Sequence, residues 1–432
     1  MRADPEPLGL SRHVPGLALE WQATTPGEQF KIIEGSLLFG DISGFTALAE
    51  RLAQQGRRGG EELVSTLGHV FASMLDAAAA RGGDMLKFGG DALLLFFQGP
   101  HHAEHAASTA VAMRQILKDA ASIRTSVGPL KLSMSIGIHS GGVHFFLVGS
   151  SHRELIVTGP VVDSVIELEN TAVAGEVIIS DATAKLLPTD ASRLDDDGFH
   201  RLRWRLPRSS AELFNNINAP VDQAHARQLF PSVLGVLLAL GVPEPEHRVA
   251  CIAFVGFTDT DRLLAEGGAQ VVADALHETL SAAQECLDAE GVTLLAVDVD
   301  QGGGKLFLAS GVPAGHEDDE AVMMRALRRL MDLTLPLPLR AGVNRGHVFA
   351  AEIGTGRRAA YSAMGDTTNT AARVMGKAQA GTIYVHPSVL DECLVLYKSA
   401  QVGPFAFKGK TEEVVLYDVG DEIGPRGREG LE

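Results

Sequence analysis

Asp41 ends an apolar run and is followed by Ile42, Ser43, Gly44, Phe45 and Thr46. A carboxylate at the mouth of a strand-to-helix turn can hold a hard cation. The backbone N–H groups of the turn, with a helix N-terminus behind them, can hold phosphate oxygens. An Asp beside Ser and Gly also serves as an ordinary cap or turn residue. Asp91 follows Gly89 and Gly90 at a hairpin tip, where strand register can bring it beside Asp41; two carboxylates so close repel unless a cation lies between them. Mg²⁺ takes one or two carboxylates and completes its shell with phosphate and water oxygens, and a pair of such ions suits in-line displacement at phosphorus. Asn369 and Arg373 lie four apart on a helix predicted to open at Asp366, so they share a face. Asn can hydrogen-bond a ribose oxygen and Arg can neutralise charge growing on a phosphoryl group, although each is also common on a solvated surface. Lys408 and Lys410 flank a glycine in a late turn and could grip terminal phosphates or simply face water. His101, His102 and His105 have no further ligand nearby in sequence, and a helix start explains them.

The elements that must position these groups repeat. SLLFGDISGFT (36–46) is echoed by RVACIAFVGFT (248–258), and KFGGDALLLFFQGP (87–100) by DQGGGKLFLASGVP (300–313). LSMSIGIHSGGVHF (132–145) answers LRAGVNRGHVFAAE (339–352), and TGPVVDSVIELENTAVAGEVIIS (158–180) answers MGDTTNTAARVMGKAQAGTIYVH (364–386). Four blocks in one order indicate a tandem duplication. The predicted boundaries are 30–205 for the first copy, 206–246 for a proline-rich linker and 247–420 for the second. Within the linker the apolar piece Phe230–Leu240 is expected to pack on a domain, and the tail after Asp421 reads as polar and frayed. In copy one the pattern predicts a strand at 36–42, a helix at 61–80, a hairpin of 84–88 with 92–97, a helix at 103–119 and a strand at 130–138. This βαββαβ order gives an α+β, ferredoxin-like domain with a mainly antiparallel sheet covered by helices.

Composition bounds the partners. The 54 acidic residues outnumber 37 basic ones for a net charge of -17, which argues against nucleic acid or anionic membrane as a partner. Three cysteines cannot build a disulfide framework, and a reducing compartment fits. Met1–Pro7 has no apolar core and no segment reaches the ~18–20 apolar residues of a membrane helix, so a soluble cytoplasmic protein is expected.

Together LLFGDISGFTALAERL, GGDMLKFGGDALLLFF and GDTTNTAARV resemble class III nucleotidyl cyclases of the tandem-domain type, which includes soluble adenylyl cyclases and bacterial relatives. The resemblance implies two ferredoxin-like cyclase domains paired head to tail within one chain, so that a monomer suffices. It implies conversion of a nucleoside triphosphate, ATP or GTP, to a 3′,5′-cyclic monophosphate and pyrophosphate with two Mg²⁺ or Mn²⁺ ions. Asp41 and Asp91 would hold the metals, and Ile42, Ser43, Gly44, Phe45, Thr46 and Lys410 the phosphates. Asn369 would orient the ribose and Arg373 stabilise the transition state. The copies are complementary: Ala253 and Gly304 stand where copy one has Asp41 and Asp91, while Asp163 and Glu167 stand where copy two has Asn369 and Arg373. One composite site is therefore whole and the other degenerate. For the base, Ser362 takes one reading position, and the other falls on Asp300, or on Ala296 or Asp298 with a small slip, with no Lys there. The whole-chain likeness favours ATP. In the degenerate site Lys87 matches a Lys that binds bicarbonate in the mammalian relative, and Glu167 replaces its Arg partner. Bicarbonate activation is expected to be weak or absent, with a Lys87–Glu167 pair as the alternative use.

Overall fold

The apolar run at 36–42 is the middle of a 14-residue strand, β1 (Phe30–Ser43), in a computed structural model. The structure describes residues 9–44, 48, 51–52, 57–89, 92–121, 123–129, 132–203, 223–241, 244–354, 358–407 and 413–426. β1 lies between two antiparallel neighbours, β3 (Ala92–Gln98) and β4 (Ser133–Val148). β2 (Gly83–Gly89) flanks β3, and the short β6 (Val177–Ile179) joins β4 in parallel. The sheet ends in two three-residue strands, and β5 (Glu154–Thr158) pairs with the outer half of β4. Helices α2 (Arg57–Ala79) and α3 (His102–Ala120) cover one face. Phe71, Met74, Ala106, Ala110 and Met113 pack there against Leu38, Leu93, Leu95, Ile136 and Ile138. This is apolar surface removed from water on both elements. A further helix, α4 (Pro160–Thr171), lies against β4.

The second half repeats this layout. Its elements are β7 (Glu246–Phe257), α7 (Thr260–Glu290), β8 (Thr293–Asp300), β9 (Gly303–Ser310), α8 (Asp319–Met331), β10 (Leu339–Gly354), β11 (Ala359–Met364), α9 (Asp366–Met375), β12 (Ile383–Val385), β13 (Val395–Phe405) and β14 (Val414–Pro425). Its strand order is that of the first sheet, position for position: β8-β9-β7-β10-β12-β14-β13, with β11 on the outer half of β10. Both sheets thus carry a long two-stranded arm, β4–β5 or β10–β11.

Each arm is buried in the other half. Phe349, Ala351, Ile353 and Met364 belong to the core of copy one, and Phe146, Val148 and Ile156 to that of copy two. A shared third cluster joins Leu37, Phe96 and Phe145 to Ile252, Phe307 and Tyr361. The head-to-tail pairing is therefore made of core packing.

Several local expectations change. The strand expected at 130–138 starts at Ser133 and runs to Val148, because its far half forms the exchanged arm. The tail does not fray at Asp421: β14 continues to Pro425, and the Arg426 N–H donates to the Leu394 carbonyl at 2.8 Å. Residues 9–29 are structured too. A short 3-10 turn (Leu10–His13) and α1 (Gly16–Thr24) precede β1, with Trp21 fully buried. In the linker, residues 204–222 and 242–243 lie outside the described residues. Between them α5 (Gln223–Arg227) and α6 (Ser232–Ala239) put Ala226, Leu234 and Leu238 into the same cluster as Leu10 and Trp21. Among the described residues no helix is long and apolar enough to cross a membrane.

Candidate active site

A cavity of about 590 Å³ opens between the halves, and its walls come from both. Copy one supplies Asp41 and Ser43 from the end of β1, Ser135 from β4, and Glu169 and Asn170 from α4. Copy two supplies Asp298, Lys305, Ser362, Thr368 and Asn369. Four phenylalanines, Phe39, Phe88, Phe254 and Phe307, give it an apolar floor. An apolar cleft with a few converging polar groups is how small-molecule sites are commonly built.

Asp41 is placed by sheet register, opposite Ala92 on β3 and Ser135 on β4. Ala92 is small, and Ser135 Oγ donates to Glu169 Oε1 at 2.7 Å. β1 does not end at 42: it carries Ile42 and Ser43 on in the ladder, and the turn begins at Gly44 with φ +92°. Ile42 is buried in the core and lines no part of the cavity. Asp91, Phe45, Thr46, Lys408 and Lys410 lie outside the described residues.

Asn369 is placed by α9, whose first turn follows Gly365 and whose inner face rests directly on β10. Contact is possible because Gly342 has no side chain: a Cβ there would lie 1.9 Å from the Met375 nitrogen. Gly137 has the same role under α4, where a Cβ would lie 2.5 Å from the Val165 carbonyl. Thr368 and Asn369 reach the cavity; Arg373, one turn on and partly exposed, is outside its lining.

The base-reading end differs from expectation. The β8–β9 hairpin extends past the level at which the β2–β3 hairpin turns, so Asp300 pairs with Gly303 at its tip. Asp300 is not in the cavity wall; its carboxylate faces Arg340 at 3.7 Å. Lys87 pairs with Leu94, and its positional twin is Ala296, which pairs with Phe307. The polar groups at this level are instead Asp298 and Lys305, paired across the ladder with 3.5 Å between Nζ and Oδ2. Lys305 was missed because the glycine run before it blurs the alignment. Its signal was that it lies two residues from Phe307, on the same face of an apolar strand.

The residues expected to form the degenerate site are placed as follows by the register. The register gives Gly256, not Ala253, as the twin of Asp41: it pairs with Lys305 and Arg340 as Asp41 pairs with Ala92 and Ser135. A Cβ on Gly256 would meet Met375 Sδ at 2.8 Å, so any side chain there requires Met375 to move. Asp163, the twin of Asn369, accepts from the Gly302 N–H at 2.8 Å. It also shares a hydrogen bond with Asp261, whose carboxyl is pushed up to about 7, first by burial and then by Asp163. Glu167 is exposed. Burial holds the Lys87 ammonium below its ordinary value, and the carboxylates that oppose this are Glu154 and Asp298, not Glu167.

The sequence profile of the Adenylate and Guanylate cyclase catalytic domain matches residues 30–210 and again 242–419. Rabbit (Oryctolagus cuniculus) adenylate cyclase type 10 is 23% identical over 469 residues, covering 96% of this chain and 28% of the relative. The human protein of that name is 30% identical over 176 residues, 40% of this chain and 11% of the relative. An adenylate cyclase of Mycobacterium tuberculosis is 25% identical over 238 residues, 51% of this chain and 52% of the relative. The chain thus spans about a quarter or less of the length of these mammalian relatives. Among solved structures, a class III adenylyl cyclase-like ATP-binding protein from Pseudomonas aeruginosa superposes with a TM-score of 0.59 at 10% identity, over 84% of this chain and 85% of that one. The two share a fold.

Proposed function

The chain belongs to the family of adenylate and guanylate cyclase catalytic domains, and we propose that it is an adenylate cyclase, converting ATP to 3′,5′-cyclic AMP and pyrophosphate at one composite cleft. The observation that carries this reading is that Asp41 of one half and Thr368 and Asn369 of the other face a single cavity. The long likeness to adenylate cyclase type 10 supports ATP over GTP.

Asp41 is a hard oxygen donor on the wall, and among the described residues no three His, Cys, Asp or Glu side chains form a cage of their own. That fits Mg²⁺ or Mn²⁺ held by Asp41 and Asp91 with phosphate oxygens completing the shell. Two such ions would supply Lewis acidity toward the ribose 3′-OH and the phosphates. The remaining work falls to the chain. The Asn369 amide would orient the ribose so that O3′ lies in line with the α-phosphorus, and such orientation is a large part of phosphoryl-transfer catalysis. Arg373 would neutralise charge developing on the α-phosphoryl oxygens. Ser43, Gly44 and the turn beyond would receive the phosphates, with Lys410 on the terminal ones. Ser362, Asp298 and Lys305 would meet the purine edge beside the stacked Phe254 and Phe307 rings.

A second reading, guanylate cyclase, is favoured by the Asp298 carboxylate, which can accept from guanine N1 and N2. The deciding experiment incubates the purified chain with ATP or GTP and either Mg²⁺ or Mn²⁺. Cyclic AMP that disappears in Asp41→Ala is the expected result. Cyclic GMP alone would turn the assignment to the second reading. Nucleotide binding without turnover under either metal would mean a regulatory pseudo-cyclase.

A further inference from the structure

Residues 9–24 belong to neither repeat, yet they tie the two halves together. Arg12 Nη2 donates to both Glu352 carboxylate oxygens at 2.5 Å, and His13 Nε2 donates to Oε2 at 2.8 Å. Arg12 and His13 are buried, and the Glu352 side chain is 8% exposed. From the other direction Arg358 donates to the Arg12 carbonyl and to the Met85 carbonyl on β2, each at 3.1 Å. Asp84, also on β2, accepts from the Gly16 and Leu17 N–H groups at 3.0 and 2.8 Å, capping α1. The segment is thus fixed to β2 of copy one and to the β10–β11 arm of copy two.

Glu352 is unusual for its place. The register makes Leu147 its twin: Leu147 pairs with Leu155 in one arm as Glu352 pairs with Tyr361 in the other. Leu147 is fully buried. A buried carboxylate needs a partner to offset its lost hydration, and an apolar residue at such a position is commonly as stable or more so. The hydrogen bonds that Glu352 accepts from Arg12 and His13 give this part of the arm a directional contact that Leu147 lacks in the other. What it fixes is close to the cleft. Tyr361 pairs with Glu352, and the next residue, Ser362, lines the cavity. His13, Arg358 and Ser362 also line a smaller cavity of about 110 Å³ that shares Phe88, Ala296 and Phe307 with the cleft.

We propose that Arg12 and Glu352 are positioning residues: the N-terminal segment is a clasp that holds β11, and Ser362 on it, in place for nucleotide binding. This rests on the cyclase reading for its effect on the reaction, but the clasp itself can be measured without turnover. The experiment compares the full-length chain with Arg12→Ala, Arg12→Lys and the nearly isosteric Glu352→Gln. In Arg12→Ala, hydrogen exchange should quicken at the 359–364 amides, and the KM for ATP should rise at least about fivefold while kcat changes less than about twofold, the pattern of lost binding. Arg12→Lys should recover part of both. Glu352→Gln should shift both the same way but less, which keeps the test valid if Arg12→Ala does not fold. Unchanged exchange across β11 would overturn the clasp, and so would faster exchange with an unaltered KM. A wild-type chain that makes no cyclic nucleotide would sink the cyclase reading alone. Exchange at β11 and calorimetric affinity for ATP with Mn²⁺ would then still decide the clasp.

Discussion

Asp41 sits at the last rung that β1 shares with β3, opposite the small Ala92 and on the cleft wall. Asp41→Ala should abolish cyclic product while leaving the melting temperature within a few degrees, because the side chain is partly exposed and not part of the core; activity and calorimetry on one preparation check both. Loss of a donor to a developing charge typically costs about 10²–10³ in rate, roughly 2.7–4 kcal/mol. Arg373→Ala should fall in that range with kcat and kcat/KM lowered together, as single-turnover kinetics would show. Lys305→Ala should change the ratio of kcat/KM for ATP to that for GTP more than it changes stability, since its partner Asp298 also faces the cleft. Burial first, and then the neighbouring Asp163, pushes the Asp261 carboxyl up to about 7. Its folded value lies above its unfolded one, so the native state binds the extra proton and stability from this group declines as pH rises from about 4 through about 7. Asp261→Asn should therefore make the chain more stable at pH 8 than wild type and alter little at pH 4, as denaturant titrations at the two values would reveal.

At the scale of elements, α9 reaches its place only because Gly342 lets the helix backbone touch β10. Gly342→Ala overpacks that contact and should cost about 1–3 kcal/mol of stability, with activity falling further because Asn369 moves with the helix; urea melts beside steady-state rates would test this. The duplication and most elements were legible in the sequence, since apolar runs and helical periodicity repeat in order, but the shared GFT letters did not mark a shared turn, because Gly256 and Phe257 lie inside β7. Register was not. Sequence spacing put Ala253 opposite Asp41, whereas strand pairing puts Gly256 there, because a slip along an apolar strand leaves its pattern looking alike. The same weakness sent Asp300 to the base site, when the longer β8–β9 hairpin carries it past the cleft. Residues 9–29 had no twin to be compared with, so nothing in the repeat marked them as structural, whereas the apolar run Phe230–Leu240 marked α6 as a packed element and it is one. Local pattern reports which face a residue takes, but only the paired strand reports its level.

For the whole molecule, both walls of the cleft lie on one polypeptide. Specific activity should stay constant on dilution over a hundredfold range, and sedimentation of the same samples should show no dependence on assembly; activity that falls away with dilution would point to a cleft completed by a second chain. The exchanged arms carry a different implication. Phe349 and Ile353 complete the first core, and Phe146 and Val148 the second, so a half expressed alone would present greasy surface with nothing to cover it and should collect in inclusion bodies. The two repeats cannot melt one after the other: heating should give a single calorimetric peak whose van't Hoff enthalpy matches the whole chain, however unlike the halves have become in their chemistry.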